Sequence, residues 1–594
     1  MIWIDWAIVV AYLAFSLWLG LYLARKASGS VVDFFVSGRS LPWWLAGTSM
    51  AATTFSIDTP LYIAGVVGNR GIAGNWEWWS FGIAHVVMIY VFARLWRRSE
   101  IITDAELTEL RYGGPTAAWL RGIKAFLFAV PINCIGIGYA MLAMTKVIDA
   151  LQIWPSLGLE PGNNLKLLSV IGISVLVLAY AGFSGLWGVV ATDFFQFFLA
   201  LLGAVIVAVA AVVNLGGMEQ LIEQVQAVGG TDILAFVPLE RSPEGGWYRW
   251  SETAGISVST FLAYVTLQWW AFRRSDGGGE FIQRLAASKD EAEAEKAAWF
   301  FNILNYVVRT WPWVIVALAA VVIYPNLEDR ELGYPMLMLD FLPPALLGLV
   351  VASLIAAFMS TVSTLINWGA SYLTNDLYGR FLRPDASQAE LVLSGRIASV
   401  GVTALGAVAA FYSQDVATVF RLVIAIGTGP GVVLILRWFW WRINAAAELA
   451  AMVAGFLVGL STTVVPLLTI DDFGLRLIVT TLITLVIWVV AMVLTPPESD
   501  DVLDTFYTKV RPGGPGWAKQ QQRTGLRPAQ ALSHDLLKAL AALLLLLGAM
   551  LGVGGFLLYQ PLTGWVWLIV AVGGGWWLRH LSKGTPSHLE TPPS

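Results

Sequence analysis

Apolar runs of about 20 residues recur from one end of this chain to the other, and that is the length an α-helix needs to cross ~30 Å of hydrocarbon. We read them near 3–24, 43–67, 76–96, 118–150, 165–181, 186–214, 252–274, 294–323, 344–378, 388–412, 415–440, 446–468, 472–495, 536–558 and 562–582, about fifteen in all. Short segments of alternating polarity, as in a closed β-barrel, are absent. The expected fold is therefore an all-α polytopic membrane protein. Charged residues make up 13% of the chain, against roughly 25% in a soluble domain. The 29 tryptophans suit a headgroup boundary, where the ring sits in lipid and the N–H stays wet. A net charge of −4 offers no basic surface for nucleic acid. Cys134 is the single cysteine, so no internal disulfide forms, and the four histidines are too scattered for a metal motif.

The first run has no basic leader and no small-residue cleavage site, so it reads as a retained span. With the N-terminus outside, the inner loops collect Arg25, Lys26, Arg94, Arg97, Arg98, Arg273, Arg274, Arg284, Lys289, Arg380, Arg383, Arg437 and Arg442. The 496–533 stretch adds Lys509, Arg511, Lys519, Arg523 and Arg527, while outer loops hold only a few, such as Arg70, Arg241, Arg249 and Arg330. Positive residues stay inside, which makes the C-terminus cytoplasmic and the protein a resident of the plasma or inner membrane. The 215–251 stretch reads as a small outer cap and 496–533 as a linker to a last hairpin at 534–583. The polar tail 584–594 reads as disordered.

Polar residues inside spans are costly and mark cavities or bundle interiors. The second span clusters Ser49, Thr53, Thr54, Ser56, Asp58 and Thr59 ahead of Pro60. Proline disrupts the preceding turn, leaving carbonyls at 52–56 free for a cation. In the ninth span Ser360, Thr364, Asn367 and Ser371 form one stripe beside Thr361. Neutral oxygens of this kind suit a hard monovalent cation; close helix packing is the competing reading. Asp193 and Arg309 are intramembrane ionisable groups and functional candidates, with an Asp58–Arg309 ion pair as a structural alternative. Lys146 and Arg421 sit near span ends, where they can snorkel, and His85 reads as a core residue.

Four ordered segments carry a family likeness: DFFVSGRSLPWW, FIQRLAASKDEAEAEKA, AAFMSTVSTLINWGASYLTNDLY and GPGVVLILRWFWWRINAAAELAAMVAG. Together they resemble the sodium:solute symporter family over roughly residues 5–470. The resemblance implies a LeuT-type core of two five-helix inverted repeats, at 43–214 and 252–442, with one helix before and further helices at 443–495 and in the last hairpin. It also implies a sodium site of Ala52, Phe55, Ala357, Ser360 and Thr361, with the Thr192–Asp193 pair tuning it. WEWWS is similar to a segment of sodium/galactose-type transporters, which implies sugar contacts at Glu77 and Ser80. Departures from that pattern fall at Thr54, Thr59, Asn305 and Arg421, and Arg309 offers a fork suited to a carboxylate. Trp269 and Trp270 would gate or stack the solute, or serve as belt tryptophans.

The expected function is a sodium-coupled symporter importing a small polar solute by alternating access, either a sugar or polyol or an amino acid or organic acid. Thr54, Ser56, Asp58, Thr59, Glu77, Ser80, Trp269, Asn305 and Arg309 are its substrate candidates. Na+ is the coupling ion, and the lipid bilayer is the surroundings. Proton coupling through Asp58 or Asp193 and a transporter-like solute sensor are the alternatives. A membrane enzyme finds no nucleophile–base arrangement, metal cluster or phosphate loop in the spans.

Overall fold

The computed structural model describes all residues except 25–29, 157, 159–162, 242–247, 252–254, 272–274, 414–415 and 584–594. Arg25, Lys26, Arg273, Arg274 and the tail expected to be disordered lie outside the described residues. Eleven of the described helices are long and apolar enough to cross a membrane. Two further spans are bent pairs: Trp43–Thr53 with Asp58–Arg70 at 55°, and Arg421–Gly427 with Gly431–Phe439 at 41°. The other two expected runs are shorter, Leu165–Leu178 and a helical stretch from Val258 to Ala271. A ribbon of two short antiparallel strands, Leu239–Arg241 and Tyr248–Trp250, lies in the 215–251 stretch.

The Leu346–Leu382 helix is the axis. It is 94% buried across its apolar window and packs against Gly185–Asn214, the N-terminal helix and Gln388–Tyr412. Its start is held from outside: Asp5 of the first helix accepts hydrogen bonds from the backbone N–H groups of Ala345 at 2.8 Å and Gly348 at 3.0 Å. These would otherwise be orphan donors of a helix N-terminus. The first helix is thereby pinned to the helix that carries Ser360 and Thr361.

Contacts sort the loops onto two ends of the bundle. At one end the Trp76 indole donates to the Phe236 carbonyl, Gln560 donates to that of Leu234, and Lys146 bridges Asp329 at 2.9 Å and Glu331 at 2.7 Å. Lys146 is thus half of an ion-pair cluster, where snorkelling was expected. At the other end the 496–533 stretch is folded, which corrects its reading as a linker. Leu503, Phe506, Tyr507 and Val510 bury one face of the helix Asp500–Val510. Trp517 is fully buried, its indole donating to the Trp438 carbonyl at 2.8 Å. The guanidinium of Arg111 lies over the rings of Phe506 and Trp517.

A buried ionic network ties that same end together. Arg437 reaches Asp276 at 2.8 Å and Glu448 at 2.9 Å, and Lys124 reaches Glu448 at 3.1 Å. Tyr112 also donates to Glu448, at 2.8 Å. Removing one member of a buried pair strands the others and costs about 3–5 kcal/mol. Glu448→Ala is therefore expected to lower the unfolding temperature in detergent far more than Asp5→Ala, which loses only a cap worth about 1 kcal/mol.

Candidate functional site

The break in the second span runs from Thr54 to Ile57, and the second half restarts at Asp58. Pro60 sits in the first turn of that half, where a missing N–H costs nothing, so it shapes the restart. The freed carbonyls are partly engaged. That of Ala51 accepts from Arg309 at 3.1 Å, and that of Thr53 accepts from the Thr361 hydroxyl at 2.9 Å. Thr361 lies on the Leu346–Leu382 helix, so this hydrogen bond joins the start of the break to that axis.

Next to it lies a network without solvent exposure. Asp193 accepts from Ser360 at 2.6 Å and from Ser49 at 2.5 Å. The Arg284 guanidinium stands 3.6 Å from Asp193 and donates to Ser49 at 3.1 Å and Thr364 at 2.5 Å. The hydroxyls of Thr364 and Thr53 are 3.1 Å apart. Of the residues implied for the sodium site, Ser360 is thus bonded to Asp193 and Thr361 to the break. Ala52, Phe55 and Ala357 are buried, and the Phe55 ring packs edge-on to Trp313. The Thr192 hydroxyl bonds back to the carbonyls of Gly188 and Val189. Sequence reasoning placed Arg284 in an inner loop and did not assign Ser49 a role. The signal for Ser49 was its helical spacing of four from Thr53.

Beside the break is a cavity of about 140 Å³. Thr54, Ser56, Asp58, Thr59, Asn305, Arg309 and Thr361 line it, as do Tyr62, Trp78, Phe81, His85, Tyr139 and Tyr306. Asn305 and Tyr306 fall in a π-helical turn, Ile303–Val308, whose extra residue turns them inward. Thr54 donates to the side-chain amide oxygen of Asn305 at 2.9 Å. His85 is hydrogen-bonded to Tyr306 at 2.8 Å, so it is a satisfied core residue that also faces the cavity. The alternative Asp58–Arg309 ion pair is not formed. Arg309 instead contacts the Ala51 and Asn305 carbonyls and the faces of Phe55 and Trp313.

Three candidates lie elsewhere. Glu77 is fully buried and held by Arg70 at 2.8 Å, Arg421 at 3.1 Å and the Tyr264 hydroxyl at 3.2 Å. Arg421 is accordingly a counter-charge, where snorkelling was expected. Ser80 meets the Gln268 amide at 3.2 Å. Trp269 is half-buried outside the cavity, and the Trp270 indole donates to the Thr266 carbonyl of its own helix. Trp78, Phe81 and His85, at spacings of three and four, form the face that looks inward. Glu77 and Ser80 sit one step round the helix from it.

A family model described as the sodium:solute symporter family matches residues 34–455. The chain is 26% identical over 529 residues to a sodium/glucose cotransporter of Vibrio parahaemolyticus, covering 84% of this chain and 92% of that protein. It is 26% identical over 509 residues to a sodium/mannose cotransporter of Bos taurus, covering 78% and 79%. With sodium/myo-inositol cotransporter 2 of Homo sapiens it shares 24% over 491 residues, covering 77% and 69%. The substrate-bound outward-open structure of a Na+-coupled sialic acid symporter matches with a TM-score of 0.64 at 18% identity, over 84% of this chain and 99% of that one. That likeness is one of fold, a LeuT-type core. With the family match spanning most of a multi-pass membrane chain, this protein belongs to the sodium:solute symporter family and couples the movement of a small solute to sodium.

Proposed function

We propose that sodium binds where the broken helix meets the axis, held by the carbonyls of Ala52, Phe55 and Ala357 and the hydroxyls of Ser360 and Thr361, and that the solute binds in the adjoining cavity. Several features support this. The proton of Ser360 is used on Asp193 and that of Thr361 on the Thr53 carbonyl, which leaves oxygen lone pairs to face a cation. Unwound carbonyls and the C-terminal end of a half-helix are what coordinates sodium in transporters built this way. Asp193 adds a negative charge within one hydroxyl of the site, offset by Arg284, so it tunes affinity.

The observation that carries the proposal is that Thr361 donates to the Thr53 carbonyl at the break and also lines the adjoining cavity, together with Thr53 and Thr54. Sodium then orders the wall that the solute touches, and each raises the other's affinity by the same factor. Two repeats, 43–214 and 252–442, rock about this point to expose it alternately to either side. The N-terminus lies outside and the C-terminus in the cytoplasm of the plasma or inner membrane. The folded 496–533 segment is cytoplasmic.

Ser360→Ala and Thr361→Ala are each expected to raise the sodium concentration for half-maximal uptake by about tenfold, the effect of losing ~1.4 kcal/mol of ligation. Flux assays over a sodium series check this, and unchanged sodium dependence in folded variants would place the ion elsewhere. Orientation is checked separately in a Cys134→Ala background. A membrane-impermeant maleimide added to intact cells is expected to label Val228→Cys and to spare Lys519→Cys, both of which lie at exposed positions.

A further inference from the structure

A second pocket lies at the membrane boundary, away from the central cavity. It has a volume of about 580 Å³ and sits between the folded 496–533 segment and the start of the helix Leu532–Leu557. That helix is long and apolar enough to cross a membrane, so its first turn stands at headgroup level. Part of the wall is apolar, from Pro515, Pro528, Ala531, Leu532 and Leu536. The polar side chains on it are Gln521, Arg527, Gln530 and Ser533, and of these Arg527 alone is charged.

Three features of this wall suit an anion. Gln530 is 4% exposed, and neither the nitrogen nor the oxygen of its side-chain amide has a hydrogen-bond partner among the described residues. A buried amide left unmatched is costly, so one that lines a pocket points to a ligand. Arg527 is exposed and enters no ion pair among the described residues, whereas Lys519 and Arg523 are paired with Asp500 and Asp504. The helix Leu532–Leu557 begins at Ala531, which has no side chain to cap it. Its first N–H groups lack intrahelical acceptors, and Ala531, Leu532 and Ser533 all line the pocket. A helix start beside a guanidinium is a ready phosphate site. Asp535, the acid of that first turn, is not on the wall and has Arg94 and Lys538 as counter-charges.

The apolar side shows what carries the anion. From Leu536 the same face of the helix runs on to Leu540 and Leu544, which are 48%, 47% and 37% exposed in turn. On a membrane-spanning helix such a stripe faces acyl chains, so the pocket opens onto the track of a lipid tail. Arg579 and Lys583 of the last helix are exposed at the same end, where the His534 ring meets the Leu581 carbonyl at 3.1 Å. Cations placed beside the membrane draw anionic lipids. A zwitterionic headgroup brings its own ammonium and leaves Arg527 without a net counter-charge.

We infer that this pocket holds an anionic phospholipid, with its phosphate on Arg527, the Gln530 amide N–H and the start of the helix Leu532–Leu557. One acyl chain lies along Leu532, Leu536 and Leu540. The Gln530 amide oxygen accepts from a headgroup hydroxyl, which phosphatidylglycerol supplies. The lipid joins the folded 496–533 segment to the last hairpin.

The test uses the full chain, purified and delipidated in a neutral detergent. Native mass spectrometry measures binding of dioleoyl phosphatidylglycerol, of phosphatidylcholine with the same chains, and of inorganic phosphate, and thermal unfolding is followed alongside. Phosphatidylglycerol is expected to bind about tenfold more tightly than phosphatidylcholine and to raise the unfolding temperature. Arg527→Gln is expected to weaken phosphatidylglycerol about tenfold, the size of one charge-assisted contact, and to leave phosphatidylcholine unchanged. Arg523→Gln, whose arginine is already paired with Asp500 and Asp504, is expected to alter neither affinity. Gln530→Leu is expected to weaken the lipid yet raise the unfolding temperature of the lipid-free protein, because a buried unmatched amide is gone. A glutamine with a purely structural role would lower it. Should Gln530→Leu fail to fold, Arg527→Gln decides, since it lies at an exposed position. Equal affinity for the two lipids, or phosphatidylglycerol binding that Arg527→Gln leaves intact, overturns the proposal. Displacement of phosphatidylglycerol by inorganic phosphate at matched concentration marks a site for a free anion and overturns the lipid assignment.

Discussion

The hydrogen bond from the Thr361 hydroxyl to the Thr53 carbonyl is the contact on which the rest of the centre depends. An α-helix in hydrocarbon can open only where something else satisfies its backbone groups. Between Thr54 and Ile57 the second span opens, and the groups that stand in come from other helices: Thr361 for the Thr53 carbonyl and Arg309 for that of Ala51. The break is stable because the axis helix is packed against it. The same packing brings two kinds of oxygen, from an unwound backbone and from hydroxyls, to one place beside the cavity.

Charge is organised around that centre in layers. Asp193 and Arg284 sit in the network next to the break, each committed to the hydroxyls of Ser49, Ser360 or Thr364. At one end of the bundle Lys146 is clamped by Asp329 and Glu331, and Glu77 is clamped by two arginines. At the other, Arg437, Asp276, Glu448 and Lys124 join the stretch before Glu280–Ala287 to the helices Gly114–Leu127, Gly431–Phe439 and Ala445–Val464. Burial makes each of these strong in place and costly to leave half-made. Such clusters suit a molecule whose two ends hold one arrangement firmly and exchange it for another as a unit.

Much of this was legible from residue order. The spans were read from hydropathy, and the break from a polar cluster before a proline. Ser360, Thr361 and Asp193 were singled out as polar residues inside apolar spans, and the family likeness then implied a sodium site for them. The misreadings have physical causes. Glu77 and Ser80 came from a likeness of one short segment to sodium/galactose-type transporters, while 100° of helical rotation per residue turns Trp78 and Phe81 toward the cavity. The linker reading of 496–533 followed from its mixed charge and its Pro-Gly run. The stripe of Leu503, Phe506, Tyr507 and Val510, spaced three, four and seven from its start, was there to be read as a docking helix.

The sequence by itself determined that this is a helical membrane protein, most of the runs long enough to cross the bilayer and one of the two that are bent. Hydrophobic length and backbone chemistry are local properties, written into each segment whatever its neighbours. Only the tertiary structure decided which charges neutralise which. Arg421 reaches Glu77 across 344 positions, Arg284 reaches Asp193 across 91, and Arg309 finds carbonyls and aromatic rings in place of Asp58. Pairing in a low-dielectric interior depends on a few ångströms of separation set by helix packing, and linear order carries no such distances.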